Sequence, residues 1–260
     1  IDFKEKAEGC FILNICEHRV EQATLLIFIS GFLNIIMKKI VVILTLLVMI
    51  GVSFAHQPRL TYDQTSSEAN PFIVNNPEIS QAFYGELKGS PDYYEIDSNT
   101  SFELYVSLTV PLIDGATTDY SADVYKDGQL VLQLDGSAYS WTVFHEEFAG
   151  DDYYSGPDSE MNVSAGKYLI KVYSPDNNGK YVFVVGTIES FPADEMLKTL
   201  EVLPRMKSEF FGKPAYTAYF NIIGLFLFIP IIILIIIIVL VIWFIRKRME
   251  RKSRKKKITN

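Results

Sequence analysis

Two histidines after residue 55, His56 and His145, could supply imidazole nitrogens to a metal ion. His56 directly follows Ser53-Phe54-Ala55, which has small residues at the two positions that a signal peptidase reads. Cleavage after Ala55 would place a free α-amine beside the His56 imidazole, and such nitrogen ligands suit copper. Pro58 has no N–H and would block a third backbone ligand. An extracytoplasmic copper carrier or sensor that uses His56, His145 or both is therefore one functional hypothesis.

Three carboxylates in the stretch 150–158 suggest a different metal site. Asp151, Asp152 and Asp158 lie on a segment that also contains two glycines, and we expect this segment to be a loop. Carboxylate oxygens clustered on such a loop are typical calcium ligands, although the spacing is not that of an EF-hand. The alternative is a polar turn at the edge of the domain, with no ion bound.

Aromatic side chains in the same region could contact a ligand. Trp141, Tyr153 and Tyr154 are candidates for presenting their rings to a glycan or a protein partner. The alternative is that all three pack in the hydrophobic core. Asn99-Thr-Ser101 and Asn162-Val-Ser164 are glycosylation sequons, which matter only in a host that glycosylates.

Signatures of catalysis are absent from the sequence. The chain contains no Gly-x-Ser-x-Gly elbow, His-Glu-x-x-His motif, P-loop or dinucleotide fingerprint. Neighbouring carboxylates such as Glu146-Glu147 would point to opposite faces of a strand, which disfavours a glycosidase pair. We therefore expect a non-catalytic protein with no cofactor, and calcium and copper are the alternatives. An extracytoplasmic hydrolase is a third functional hypothesis, because a Ser-His-Asp set needs no short spacing.

The elements that would position these residues are β-strands. Five apolar residues alternate with polar ones from 102 to 110, and this period predicts a strand with Val106 facing a core and Ser107 facing water. Asp127-Gly128 lies between two apolar stretches and predicts a two-residue hairpin. With the stretches 81–87, 92–97, 141–144, 166–173 and 180–186 we count about eight strands. Their spacing predicts an all-β domain over residues 80–191, an antiparallel sandwich or jelly roll.

The last two of these strands resemble a known family. Ser164-Ala-Gly-Lys-Tyr-Leu-Ile-Lys-Val-Tyr173 and Gly179-Lys-Tyr-Val-Phe-Val-Val-Gly186 are similar to the closing hairpin of pre-peptidase C-terminal (PPC-type) jelly rolls, which are non-catalytic modules of secreted proteins. The resemblance covers about 25 of the 260 residues, and the stretch 148–157 departs from the family pattern. The whole layout also resembles uncharacterised single-pass bacterial surface proteins. The resemblance implies a fold and a topology, and no particular chemistry.

The N-terminal part carries a second kind of signal. Met37-Lys38-Lys39, an apolar stretch to Val52 and Ser53-Phe54-Ala55 predict a signal peptide over residues 37–55, with an uncleaved signal anchor as the alternative. Residues 1–36 do not fit this layout, and they contain both cysteines, Cys10 and Cys16. We interpret them as upstream sequence or a dispensable leader. A further apolar segment at 23–36 is the alternative, although it is short for a membrane span.

The C-terminal part predicts a membrane anchor. The stretch 220–245 has no charged residue, and as a helix it would measure about 39 Å, longer than a bilayer core of about 30 Å. We assign a transmembrane helix to 215–245 and a basic tail to 246–260. Nine basic residues and one acid in 246–257 predict that the tail is cytoplasmic, and the tail could also bind anionic lipid.

Two linking segments flank the predicted sandwich. Residues 56–79 are predicted to be an extended arm or a first edge strand. Residues 192–214 include Met196, Leu197, Leu200 and Leu203 at helical spacing, followed by Pro204, which should end the helix. This helix would lie near the membrane or pack under the sandwich.

Charge separates the parts of the chain and limits its partners. Residues 57–211 hold 25 acidic and 9 basic residues, whereas residues 212–260 hold 1 acidic and 10 basic residues. The acidic part cannot neutralise phosphates, so we expect no nucleic-acid partner. Signal and span together place residues 56–219 outside the cytoplasmic membrane in a single-pass topology. The leading hypothesis is a non-catalytic binding or scaffolding module with a protein or glycan partner.

Overall fold

The computed structural model describes residues 38, 39 and 56–258. The chain divides into two compact units, Ile1–Gly51 and Val52–Asn260, and of the first unit only Lys38 and Lys39 are described, in a helical conformation. The interpretations of 1–36 as a leader and of 37–55 as a signal peptide therefore lie, but for these two lysines, outside the described residues.

Eleven strands form two sheets in the described part of the chain. The six-stranded sheet has the order β1-β3-β11-β5-β9-β8, and the five-stranded sheet has the order β2-β4-β10-β6-β7. The strands are β1 Gln57–Leu60, β2 Phe72–Ile73, β3 Gln81–Lys88, β4 Asp92–Ser98, β5 Phe102–Pro111, β6 Ser121–Lys126, β7 Gln129–Leu134, β8 Thr142–Glu146, β9 Asp151–Val163, β10 Gly166–Tyr173 and β11 Asn178–Val185.

The all-β sandwich predicted from the sequence is confirmed, with three strands more than expected. β1 and β2 come from the predicted arm, and each pairs in parallel at one edge of its sheet. β9 occupies the stretch that was expected to be a loop. The predicted hairpin joins β6 to β7, and both of its central residues, Asp127 and Gly128, have positive φ, as a two-residue hairpin of this kind requires.

The main core lies between the two sheets. Val106 and its inward-facing neighbours on β5, Leu104 and Leu108, are completely buried, as the alternation predicts. Two linked hydrogen bonds cross this core. The hydroxyls of Tyr94 and Tyr181 lie 2.8 Å apart, and the Tyr181 hydroxyl donates to Asp92 Oδ2 at 2.8 Å. Burial raises the pKa of the Asp92 carboxyl, although its hydrogen bonds oppose the shift.

A second hydrophobic cluster covers the outer face of the six-stranded sheet. It joins Tyr84, Val182 and Val184 of the sheet to the segment that follows the sandwich. We call residues 192–221 the connecting segment. Ser107 of β5 is only 7% exposed, and the prediction that it faces water is wrong.

The connecting segment consists of three short helical elements. Helix α1 spans Ala193–Arg205, a π-helical turn spans Met206–Phe210, and a 3₁₀ turn spans Ala215–Tyr219. Pro204 was expected to end α1, and this prediction is wrong. Pro204 lies inside the helix, and the wider π turn follows directly.

The inward face of α1 also differs from the predicted one. Glu195, Thr199 and Leu203 are buried, whereas Met196 and Leu197 are 57% and 68% exposed. Leu200 of the predicted stripe packs against the same hydrophobic cluster as Leu203, and Arg59 Nη1 of β1 lies 2.8 Å from a Glu195 carboxylate oxygen. The helix therefore packs on the sandwich, which is one of the two predicted alternatives.

Helix α2, Ile222–Ile258, follows the connecting segment. Its part from Ile222 to Glu250, 29 residues, is long and apolar enough to cross a membrane by length and composition. The helix begins seven residues later than the predicted boundary at 215, because Ala215–Tyr219 forms the separate 3₁₀ turn. It also continues through the basic tail as far as Ile258.

Candidate functional site

Four ionisable side chains meet where the connecting segment contacts the sandwich. We call Glu146, Asp151, Lys207 and Lys213 the charge cluster. Lys207 Nζ lies 2.5 Å from Asp151 Oδ2, and Lys213 Nζ lies 2.8 Å from Asp151 Oδ1. Asp151 is 0% exposed and Lys207 is 1% exposed, so their pair has almost no contact with solvent. An ion pair taken out of water in this way is stable only if its hydrogen bonds are well satisfied.

The π-helical turn determines where Lys207 points. Met206, Lys207 and Phe210 are all buried, so this turn presents consecutive residues to the sheet, which a regular helix with a single buried stripe would not do. Lys207 Nζ also donates to the carbonyl of Ala149 at 2.6 Å. Its ammonium group thus has two acceptors from the sandwich.

The turn between β8 and β9 supplies the other half of the cluster. Gly150 has φ 73°, a conformation that favours glycine, and its N–H donates to the Glu146 carbonyl at 2.9 Å. The Glu146 carboxylate accepts hydrogen bonds from the backbone N–H groups of Phe148 and Ala149, each at 2.8 Å. Burial raises the pKa of the Glu146 carboxyl, and these two donors only partly offset the shift.

The register of β8 and β9 makes Glu146 and Asp151 neighbours. The two residues are directly opposite each other in the antiparallel ladder. Cβ atoms in such pairs lie about 4.5–5.5 Å apart, and the two side chains share one face of the sheet. The cluster therefore brings together a buried amine, the carboxylate that it contacts and a second carboxyl group beside that carboxylate.

Aromatic rings enclose the charge cluster. Phe211 is 5.6 Å from Tyr153 between ring centroids, and it also lies under both lysines, at 5.8 Å from Lys207 Nζ and 5.4 Å from Lys213 Nζ. Phe210 packs edge-on against Tyr84 of β3 at 5.2 Å. These rings lower the local dielectric, which strengthens every polar interaction within the cluster.

The cluster also reaches the start of α2. Asn221, the last residue of the connecting segment, donates from Nδ2 to the Ala149 carbonyl at 2.8 Å and to the Ala218 carbonyl at 3.0 Å. Ile223 in the first turn of α2 is buried in the same hydrophobic cluster, and Leu227 packs against it. The sandwich is thus in direct contact with the first turns of the apolar helix.

The three aspartates of the calcium prediction do not converge. Asp151 and Asp152 are neighbours on β9, so they point to opposite faces of the strand. Asp151 is buried against the two lysines, while Asp158 is exposed farther along the strand. The prediction of a loop at this position is therefore wrong, although calcium binding itself stays a prediction.

The two histidines of the copper prediction lie at opposite edges of the six-stranded sheet. His56 precedes β1 and contacts the Ser80 hydroxyl, whereas His145 lies on β8 with Nδ1 2.8 Å from Asp152 Oδ1. Four strands separate β1 from β8, a distance of about 24 Å at the usual strand spacing. One copper ion cannot bind both. Among the described residues, no group of three or more His, Cys, Asp or Glu side chains is arranged to hold a metal ion.

The three aromatic ligand candidates are packed against neighbours. Tyr153 is 4% exposed and belongs to the outer cluster, whereas Tyr154 and Trp141 pack against the main core. The indole N–H of Trp141 donates to the Gly136 carbonyl at 2.8 Å. The core alternative describes all three better than a role in ligand contact.

Sequence reasoning missed the two lysines. Lys207 and Lys213 were part of a linker, and Glu146 was considered only with its neighbour Glu147. The available signal was Phe210-Phe211, two adjacent large aromatics between two lysines in a segment with few other reasons to be apolar. Such a pair indicates a buried contact rather than a solvated linker.

No protein-family model matches the chain, and no curated protein matches it. Among solved structures, the chain is similar to the pre-peptidase C-terminal domain of a collagenase from Bacillus anthracis, with 12% identity and a TM-score of 0.28 over 51% of this chain and 97% of that one. It is also similar to a β-glucosidase from Kluyveromyces marxianus (15% identity, TM-score 0.23, 44% of this chain and 13% of that one). The first is a domain of the PPC type, which residues 164–186 resemble in sequence. These similarities concern the fold alone and carry no argument about function.

Proposed function

We propose that this protein is a membrane-anchored, extracytoplasmic binding or scaffolding module, in which the sandwich is held in a fixed position on its anchor. The observation that carries the proposal is the contact between the sandwich and the connecting segment. A flexible tether would leave that segment solvated, whereas here Leu203, Met206 and Phe210 are at most 2% exposed. The chain uses a buried apolar and ionic interface to fix the domain next to α2.

The distribution of charge supports the orientation in this proposal. The acidic sandwich and the basic residues after 245 lie on opposite sides of the apolar part of α2. Basic residues next to a membrane span remain on the cytoplasmic side, so the sandwich would lie on the outer side. Tyr216 and Phe220 are 65% and 81% exposed just before α2, and aromatic residues of this kind are enriched at membrane interfaces.

Site-directed labelling tests the orientation. Residues 17–260 contain no cysteine, so with Cys10 and Cys16 changed to serine a single introduced cysteine reports its own location. We expect a membrane-impermeant maleimide to label Ser140→Cys, an exposed position before β8, on intact cells. Ser253→Cys in the basic tail should be labelled only after the membrane is permeabilised. Labelling in the reverse pattern would overturn the proposal.

A second measurement tests the anchor. The protein should remain with the membrane fraction after alkaline extraction, and a variant that ends at residue 221 should be released. Extraction of the full chain under the same conditions would show that α2 does not span the membrane.

A further inference from the structure

The contact between Lys207 and Asp151 has the geometry of two groups that can react. Nζ is 2.5 Å from Oδ2, both residues are at most 1% exposed, and the contact is enclosed by aromatic rings. We propose that Lys207 Nζ and Asp151 Cγ become joined by an amide bond after the chain folds, so that an isopeptide cross-link ties the connecting segment to β9. This inference goes beyond the proposed function and does not depend on the orientation in the membrane.

The reaction requires the uncharged form of both groups. An ammonium ion is not a nucleophile, and a carboxylate is a poor acceptor for attack. A proton must therefore move from Nζ to the carboxylate before the attack, which gives the neutral amine and the neutral acid. Their contact holds Nζ against Oδ2 of this carboxyl group, which removes much of the entropic cost of bringing the two groups together.

Glu146 is positioned to carry the protons. It is directly opposite Asp151 on β8, and the hydrogen bonds from Phe148 and Ala149 hold its carboxyl group in place. Burial raises the pKa of this carboxyl, so that it can hold a proton and release it again. In the proposed step Glu146 takes a proton from the amine and gives it to the leaving oxygen, so Glu146 is regenerated.

Lys213 supplies the remaining requirement, a positive charge where negative charge develops. Its Nζ donates to Asp151 Oδ1 at 2.8 Å, and its side chain is partly exposed. When the lone pair of Lys207 Nζ attacks Cγ, the C=O π electrons move to Oδ1 beside this ammonium group. Fixed charges at such a position stabilise a tetrahedral intermediate.

The step is balanced without any further reactant. The N–C bond forms, a proton from Nζ passes through Glu146 to Oδ2, and the C–O bond to Oδ2 breaks to release water. The ammonium and carboxylate pair thus becomes one secondary amide and one water molecule. No oxidant is needed, in contrast to a disulfide, and the chain has no cysteine after Cys16 with which to form one.

Mass spectrometry of the full chain, purified in detergent, tests the cross-link. We compare it with Lys207→Arg, which keeps a positive charge but presents a guanidinium that is always protonated and does not attack. The wild-type mass should fall short of the variant by the difference between the two residues plus one water molecule. This comparison is independent of how the N-terminus is processed.

Peptide mapping locates the bond. Chymotrypsin should yield a branched peptide that joins the stretch 149–153 to a peptide containing Lys207, and Lys207→Arg should lack it. A folded wild-type protein with the full sequence mass and no branched peptide would overturn the proposal and leave only an ion pair.

Glu146→Gln tests the proton carrier. This variant keeps the size of the side chain and should fold with the same circular dichroism spectrum. We expect the cross-link to form at least about 100-fold more slowly, the range for loss of one general acid–base group. Unchanged cross-linking in this variant would overturn the role of Glu146. None of these results affects the labelling pattern that tests the proposed function, so the two proposals can fail separately.

Discussion

Replacing Lys207 by methionine should destabilise the docked connecting segment far more than any change at an exposed lysine. The substitution keeps the length of the side chain and removes its charge. Asp151, which is 0% exposed, then loses the closer of its two partners. The Ala149 carbonyl also loses a donor, although Asn221 still reaches it at 2.8 Å.

The expected cost follows from these contacts. Breaking a buried ion pair by removing one partner costs about 3–5 kcal/mol. Lys213 still donates to Oδ1 at 2.8 Å, and the methionine side chain fills the space, so the low end of the range applies. For the ion pair alone we expect a loss of about 3 kcal/mol in the free energy of unfolding, and loss of the proposed amide bond, which methionine cannot form, would add to it. At about 2–4 °C per kcal/mol for a chain of this size, the melting temperature should fall by about 6–12 °C.

Thermal unfolding of the full chain in detergent, followed by near-ultraviolet circular dichroism, measures this shift. Lys198→Met is the matched control, because Lys198 lies on the same segment with ion pairs to Asp194 and Glu195 and is 60% exposed. Its loss should lower the melting temperature far less, because ion pairs of exposed side chains contribute little to stability. A double variant, Asp151→Leu with Lys207→Met, should recover part of the loss, because an apolar pair can replace a buried ion pair. Equal shifts for Lys207→Met and Lys198→Met would refute the reasoning.

Three further predictions concern pH and the core. The pKa of Glu146 is raised in the folded protein, so its contribution to stability is lost as pH rises from the ordinary glutamate pKa through the raised value. In urea titrations, the unfolding free energy of the wild type minus that of Glu146→Gln should therefore fall across this pH window. A difference that does not change with pH would contradict the prediction. Val106→Asp should destabilise the domain by more than about 4 kcal/mol, because it buries a charge in the core. The same change at Val143, which is 59% exposed on an edge strand of the same sheet, should cost less than about 1 kcal/mol. Equal costs would show that Val106 is not in a dry core. Tyr181→Phe removes the hydroxyl that donates to buried Asp92 and should cost about 1–3 kcal/mol by denaturant unfolding, and an unchanged midpoint would contradict that role.

The sandwich could be predicted from the sequence because its strands carry local signals. Alternation around Val106 and the Asp127-Gly128 turn depend only on neighbouring residues, and the strand, the burial of Val106 and the turn are confirmed. β9 was missed because its first residues, Asp151 and Asp152, have the composition of a loop. They form a strand since one aspartate is neutralised by lysines more than 50 positions away, and a contact of that kind leaves no local pattern.

The candidate site was harder to predict for the same reason. Helical spacing on 193–203 indicated a helix, but only Leu200 and Leu203 of the predicted stripe face the sandwich, where Glu195 also pairs with Arg59. Pro204 was expected to end α1 because proline lacks an N–H. The chain accommodates it by widening into the π turn, and that turn is what directs Lys207 toward Asp151.

The link between β9 and the connecting segment also defines a route for mechanical force. If the proposed amide bond forms, and an object bound to the sandwich is pulled away while α2 stays anchored, tension passes from α2 through the 3₁₀ turn to Lys207 and then into Asp151. Residues 152–206 lie outside this route, so β10, β11 and α1 would carry little of the load. A domain cross-linked in this way could resist stretching, even though its last strands alone would separate from the sheet by breaking their hydrogen bonds one after another.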